Sequence, residues 1–214
     1  MRSLVVRHLP QLEYEEAWRD MRSFCDTRMS DTADEIWMLQ HSPVYTFGQA
    51  GRQEHLLRDN GIPVVRSDRG GQITYHGPGQ IVSYLLIDLR RRRIGARFLV
   101  QAMQDALVLL LEEFGVSAEG DGNAPGVYVN GAKIAAVGLR IRHGCSYHGL
   151  SFNVDMDLSP FADINPCGYA GMPVTQLSDL VSTPPPPLPE IQNALARRLK
   201  EVLDKTADML SDSI

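Results

Sequence analysis

The stretch from Val127 to Val154 limits the fold more than any other part of the chain. Val127-Tyr128-Val129 runs into Asn130-Gly131, the dipeptide best suited to a two-residue hairpin, because both central residues of that turn need positive φ. Lys133 to Arg142 follows, His143-Gly144 makes a second turn, and Ser146 to Val154 returns. The three segments predict an antiparallel meander. Alternation assigns the faces of its middle strand: Lys133 falls in register with Ala135, Val137, Leu139 and Ile141, while Arg140 and Arg142 share the other side. A lysine on the apolar side has two readings. Either the strand frays near the turn and the side chain snorkels to water, or the amine is held inward for chemistry.

Around the meander the periodicity is mixed. Leu4 to His8 reads as a strand and Leu12 to Met29 as an amphipathic helix, which puts Cys25 on the buried face as a small core residue. Glu35 to Gln40 reads as a strand interrupted at His41-Ser42-Pro43 and resumed by Val44 to Gly48. Glu54 to Asp59 suggests one or two helical turns, and Pro63–Arg66, Gln72–Tyr75 and Gln80–Leu89 suggest strands. Arg97 to Phe114 is a second long helix. Leu158 to Tyr169 is irregular, and Val174 to Val181 suggests a short helix. Pro184 to Pro187 is a stiff spacer before a terminal helix striped by Ile191, Leu195, Leu199, Val202 and Leu203. The expected fold is α+β, a mixed, largely antiparallel sheet flanked by helices. Residues 1–183 would form the main domain, with 184–214 docked on it. The run Arg90 to Arg93 is either solvated surface or a dock for an acidic partner.

Composition removes several classes. The 214 residues carry a net charge of -5, with 43% hydrophobic and 22% charged residues. That balance fits a soluble domain with a core and gives no sign of nucleic-acid binding. Met1 to Pro10 lacks a signal-peptide core, and no apolar run is long enough to span a bilayer. Three cysteines, at 25, 145 and 167, do not make a disulfide framework, so a reducing, cytoplasmic setting is expected. A monomer is expected because no exposed apolar stripe is left over.

The segment Arg69-Gly-Gly-Gln-Ile-Thr-Tyr-His-Gly-Pro-Gly-Gln80 packs four glycines into a dozen residues. It is no phosphate loop: no Gly-Lys-Ser/Thr follows, Pro78 lacks an amide donor, and a strand rather than a helix comes next. Tight turns, or room for an elongated uncharged ligand against a sheet, both fit. His143, Cys145 and His148 do not have the spacing of a zinc site, so no metal is expected. His148 instead aligns with Leu150, Phe152 and Val154 as a core histidine. Cys167 lies between Pro166 and Gly168 in a loop and is either a nucleophile or a buried thiol. As a nucleophile it would need a basic partner, and Lys133 is a candidate.

With Ala124-Pro-Gly-Val-Tyr-Val129, Gly138-Leu-Arg-Ile-Arg142, His148-Gly-Leu150 and Asn165-Pro-Cys-Gly-Tyr-Ala-Gly171 in order, residues 35–180 resemble the octanoyl-[acyl-carrier-protein]:protein N-octanoyltransferases, the LipB family. The resemblance implies a fold like the biotin and lipoate protein ligase catalytic domains, no cofactor, and an acyl-enzyme mechanism with Cys167 as nucleophile and Lys133 as its partner. It implies substrate-binding segments at Arg69, Gly70, Gly71, Gln72, Ile73, Thr74, Tyr75 and His76, at Ala136, Val137 and Gly138, and at Gly149, Leu150 and Ser151. Octanoyl-acyl carrier protein would be the donor. Lipoyl domains of 2-oxoacid dehydrogenases and the glycine cleavage H protein would be the acceptors. His76 and nearby backbone amides are candidates for stabilising an oxyanion. An ATP-dependent lipoate or biotin ligase, or a non-catalytic lipoyl-domain-binding module, are the competing readings.

Overall fold

In the computed structural model, which describes residues 4–211 and their side chains except those of Cys167 and residues 206–211, both sheet pairing and helix packing follow from the apolar pattern. In chain order the elements are β1 (Leu4–Leu12), α1 (Tyr14–Thr27), β2 (Asp34–His41), β3 (Val44–Phe47), β4 (Val64–Arg66), β5 (Ile73–His76) and β6 (Gln80–Leu86). Then come α2 (Leu89–Arg92), α3 (Ala96–Glu113), β7 (Glu119–Asp121), β8 (Gly126–Val129), β9 (Ala132–Arg142), β10 (Cys145–Asn153) and α4 (Leu188–Ser211). Single 3-10 turns stand at Gln53–His55, Ser159–Asp163, Pro166–Gly168 and Leu177–Asp179. The last is all that forms of the helix expected over Val174–Val181.

Seven strands make one sheet in the order β1-β2-β6-β10-β9-β8-β7, and β4-β3-β5 make a second. Among the described strand pairs, only β1–β2 and β3–β4 are parallel, so the mixed, largely antiparallel character is as expected. The division into two sheets was not. Pro43 has no N–H for a ladder, and the chain leaves the large sheet at His41 and enters the small one at Val44. Both meander turns form as read: Asn130 and Gly131 have φ of 50° and 81°, and His143 and Gly144 have 53° and 87°. The short edge strand β7 carries too little apolar pattern to have been foreseen.

Helices α3 and α4 cover one face of the large sheet. Leu99, Leu107, Leu110, Ile191, Leu195 and Leu199 pack there on Ile36, Met38, Ile81, Leu85, Leu150 and Phe152. Helix α1 covers part of the other face with Ala17, Met21 and Cys25 against Trp37, Leu39, Val82, Tyr84 and Tyr147. The small sheet has its own cluster of Tyr45, Phe47, Ile73, Tyr75, Met156 and Ile164.

Two expectations need correction. Lys133 does not share a face with Ala135: Val127 pairs with Ala135 and Tyr128 with Lys133, so Ile134 is an extra residue in β9. This β-bulge turns Ile134 into the core beside Ala135 and sends Lys133 to the opposite face. The arginine run is also not simply solvated. Arg92 and Arg28 reach the buried Asp34 at 2.6 and 2.9 Å, and Arg91 joins them. Burial alone would raise the Asp34 pKa, but these guanidiniums hold it below the ordinary carboxylate value.

Candidate active site

Where α1 ends its cover, a pocket of about 510 Å³ opens between Tyr14, the small sheet and strands β6, β9 and β10. Its outer wall is the glycine-rich loop, which is fixed from within by Arg69. The guanidinium donates to Thr46 Oγ1 at 3.0 Å from Nε, to the Gly70 carbonyl at 2.9 Å and to the Gln72 carbonyl at 2.7 Å. Arg69 therefore sets the loop's shape. The Gly70 N–H donates to the Leu139 carbonyl at 2.9 Å, and a Cβ on Gly138 would stand 2.9 Å from the Gly70 oxygen. Glycine at 138 is what lets the loop lie on β9.

Ile73, Thr74, Val82, Ala136, Val137, Gly138, Gly149, Leu150 and Ser151 give the pocket small or apolar walls. Arg69, Gly71, Gln72 and His76 line it as well. Two residues of the implied binding segments do not. Gly70 presses on β9, and Tyr75 turns into the small-sheet cluster, its ring 5.6 Å from that of Tyr45 and 5.5 Å from that of Phe161. Sequence reasoning missed Tyr14, Val82, Tyr84, Pro125 and His148, all of which line the pocket. Most of these sit at ordinary apolar positions, and only the docking of α1 and the loops brings them together.

Thr74, Ala136 and Ser151 also line an adjoining chamber of about 290 Å³, which contains Lys133. Lys133 is 4% exposed. Its backbone is clamped on both sides: its N–H donates to the Pro173 carbonyl at 2.8 Å, and its carbonyl accepts from Thr175 at 3.0 Å. The Nζ stands 5.0 Å from the centre of the Tyr128 ring. A Cβ on Gly126 would stand 2.6 Å from the Ala135 carbonyl oxygen and 3.0 Å from Cε, so the close approach of β8 to Ala135 and the lysine's stem requires glycine there. Pro166 lines the same chamber and opens the turn Pro166–Gly168, which packs on β5. The turn that holds residue 167 thus borders the lysine's chamber through Pro166, while the Cys167 side chain lies outside the described residues.

Behind the pocket runs a chain of buried hydrogen bonds whose direction the backbone dictates. Asn153 Nδ2 donates to the Thr175 carbonyl at 3.0 Å, so its Oδ1 accepts from Gln80 Nε2 at 2.9 Å. Gln80 Oε1 then faces His76 Nδ1 at 2.7 Å, which assigns the proton to Nδ1. His76 Nε2 is left as acceptor toward Thr46 Oγ1 at 3.4 Å. Burial, with His41 nearby, pushes the His76 pKa well below its ordinary value. Its single N–H is committed to Gln80, so in this arrangement His76 anchors the wall.

His148 departs from the expected face. Its φ is +61°, and this left-handed step reverses the alternation of β10. The ring joins Tyr14 and Tyr84 instead of the core beneath α3. His148 Nε2 lies 3.0 Å from Asp68 Oδ1, which also accepts from Trp18 at 2.8 Å, and Tyr147 donates to the other oxygen. Burial opposes charge on Asp68, yet these donors hold its pKa at about 2. His143 turns to Asp26 at 3.6 Å, so the two histidines considered for a metal site point to different carboxylates. Among the described residues, no three His, Cys, Asp or Glu side chains converge as metal ligands. Nor is any described helix long and apolar enough to cross a membrane.

Comparison with known proteins gives this geometry a family. Residues 13–200 match the lipoyl protein ligase A/B catalytic domain. An octanoyltransferase of Thiobacillus denitrificans is 62% identical over 178 residues, 83% of this chain and 82% of that protein. One of Nitrosospira multiformis is 58% identical over 197 residues, 92% of this chain and 91% of its own. The fold is similar to that of a putative lipoate protein ligase from Thermoplasma acidophilum, with a TM-score of 0.72 at 17% identity over 99% of this chain and 95% of that one. The chain belongs to the lipoyl protein ligase A/B catalytic-domain family and, within it, to the octanoyltransferases.

Proposed function

We propose that this protein transfers an octanoyl group from octanoyl-acyl carrier protein to a lysine of a lipoyl-accepting domain, through a thioester on Cys167. The observation that carries this reading is the buried Lys133 in a chamber that shares three residues with a small-residue pocket and is bordered by the turn holding residue 167. The names of the relatives support octanoyl transfer in protein lipoylation. Lipoyl domains of 2-oxoacid dehydrogenases and the H protein are the proposed acceptors.

In this mechanism Lys133, as an ammonium, favours the Cys167 thiolate. The sulfur attacks the donor thioester carbonyl, the carbonyl–carrier sulfur bond breaks, and the carrier's thiolate leaves with the proton of the Lys133 ammonium. The acyl group moves from one thioester to another, so it stays activated. Acylation removes the sulfur's charge, and with it the anion that favoured the ammonium, so the lysine can act as a base toward the incoming acceptor amine. Amine attack on the acyl-enzyme gives the amide and returns the thiol. The chain would lie along Ala136, Gly138 and Gly149, with the loop at 69–76 over it. For the oxyanion, His76 is a poor donor in this arrangement, because its N–H is engaged by Gln80.

Intact mass after incubation with octanoyl-acyl carrier protein, without ATP, tests this directly. The expected result is one octanoyl adduct that Cys167→Ala abolishes and that an added lipoyl domain removes as an amide. No adduct without ATP, but modification with ATP and free octanoate, would make the protein a ligase. Binding of the lipoyl domain with no modification under either condition would make it a binding module.

A further inference from the structure

The sequence presents Cys25 as a small core residue. It is buried, at 3% exposed, but its Sγ stands 3.0 Å from the Sγ of Cys145, which is 1% exposed and opens β10. Both are free thiols. Neither lines the transfer pocket or the lysine's chamber. About 1 Å of approach would bring the sulfurs to bonding distance.

The surroundings differentiate the two. Cys25 donates its S–H toward Cys145, and Arg28 Nη1 donates to Cys145 at 2.9 Å. These contacts lower the Cys145 pKa against the effect of burial, while the same hydrogen bond, burial and Asp26 raise that of Cys25. Arg28 is itself tied to Asp34 at 2.9 Å, which tempers its pull on the sulfur. A surface cleft lined by Asp26, Met29, Ser30, Asp88 and His143 reaches both thiols, so a small oxidant has a route to them.

We propose that Cys25 and Cys145 form an oxidation site that reacts with a hydroperoxide and closes as an intramolecular disulfide. The Cys145 thiolate attacks one peroxide oxygen. An S–O bond forms, the O–O bond breaks, and the other oxygen leaves as water after taking a proton. Cys25 sulfur then attacks the sulfenic sulfur, and hydroxide departs as a second water with the Cys25 proton. Two thiols lose two electrons and two protons, and hydrogen peroxide becomes two waters. The new bond joins positions 120 apart in the chain and ties α1 to β10. Tyr14 of α1 and Gly149 to Ser151 of β10 line the pocket, so the bond fixes two of its walls relative to each other.

The test treats the folded full-length protein with hydrogen peroxide and maps its peptides without reduction. We expect a loss of about 2 Da, a Cys25–Cys145 cross-linked peptide, reversal by dithiothreitol, and a thermal midpoint raised by roughly 5–10 °C. Cys25→Ser should strand the reaction at a gain of about 16 Da on Cys145 that dimedone captures, whereas Cys145→Ser should leave Cys25 unmodified at the same dose. Mapping of the unsubstituted chain separates this linkage from any that involves Cys167. Retention of both thiols at peroxide doses that oxidise Cys167, or a cross-link from either one to Cys167 instead, would overturn the proposal.

Discussion

On the α3 and α4 face of the large sheet, the groups that meet are almost all aliphatic, and none needs a particular partner. Apolar contact is non-directional, so that face can be filled to high density. The opposite side, between the large sheet, the start of α1 and the small sheet, buries His41, His76, Gln80, Lys133, His148 and Asn153 among tyrosines. Polar groups out of water each require a defined donor or acceptor, which fixes their geometry but leaves space between them. One side of the sheet makes the fold and the other keeps a cavity with placed polar atoms. The contrast assigns different costs to substitutions on the two sides.

The largest effect should come from the polar side. Lys133→Met keeps much of the stem but removes the amine, and octanoyl transfer should fall about 10²–10⁴-fold, the usual worth of a positioned base. Circular dichroism and the thermal midpoint should stay close to those of the unsubstituted protein. A variant that transfers at more than a tenth of the normal rate would remove Lys133 from the mechanism. On the apolar side, Leu107→Ala empties a fully buried position on the inner face of α3. It should cost about 2–5 kcal/mol in urea unfolding while the rate per folded molecule is unchanged. Loss of rate without loss of stability there would break the division between the faces.

The faces should also separate on acidification. His41 donates from Nδ1 to the Leu12 carbonyl at 2.9 Å and accepts from the Tyr84 hydroxyl at Nε2 at 2.6 Å. Burial lowers its pKa from 6.5 to about 4, with Glu13 opposing and His148 adding to the shift. The unfolded chain therefore binds the proton first. Stability present above pH 6.5 should be lost as pH falls toward 4, by about 3 kcal/mol from this residue. His41→Gln should flatten that limb of a urea-midpoint series, and an unchanged slope would contradict neutral burial of His41.

What could be read from the sequence was what local chemistry decides. Asn130-Gly131 and His143-Gly144 demanded their turns, and α1, α3 and α4 were written in period 3.6. The pocket walls at 136–138 and 149–151 came with the family resemblance, and the geometry adds why the residues are small. What could not be read depends on pairing. The face of Lys133 is set by a bulge that exists only because β8 and β9 meet in a given register, and the face of His148 by one left-handed residue. Arg91 and Arg92 looked like surface because Asp34, their partner, lies more than fifty residues away.

The smallest effect tests the rim of the polar side. Asp68 is held at about 2, below its ordinary 3.8, by His148, Tyr147 and Trp18 against the cost of burial. A lowered carboxylate contributes stability above pH 4 that disappears as pH falls from 4 to 2. With its side chain 29% exposed, the contribution is discounted for solvent screening to about 1 kcal/mol. Asp68→Asn keeps an oxygen for His148 and Trp18, but turns an amide donor toward the Tyr147 hydroxyl, which must then accept. The variant should lose the part of the acid limb between pH 4 and 2 and keep the histidine limb between pH 6.5 and 4. If both limbs change together, His148 is charged when paired, and the polar face is held by an ion pair instead of by neutral hydrogen bonds.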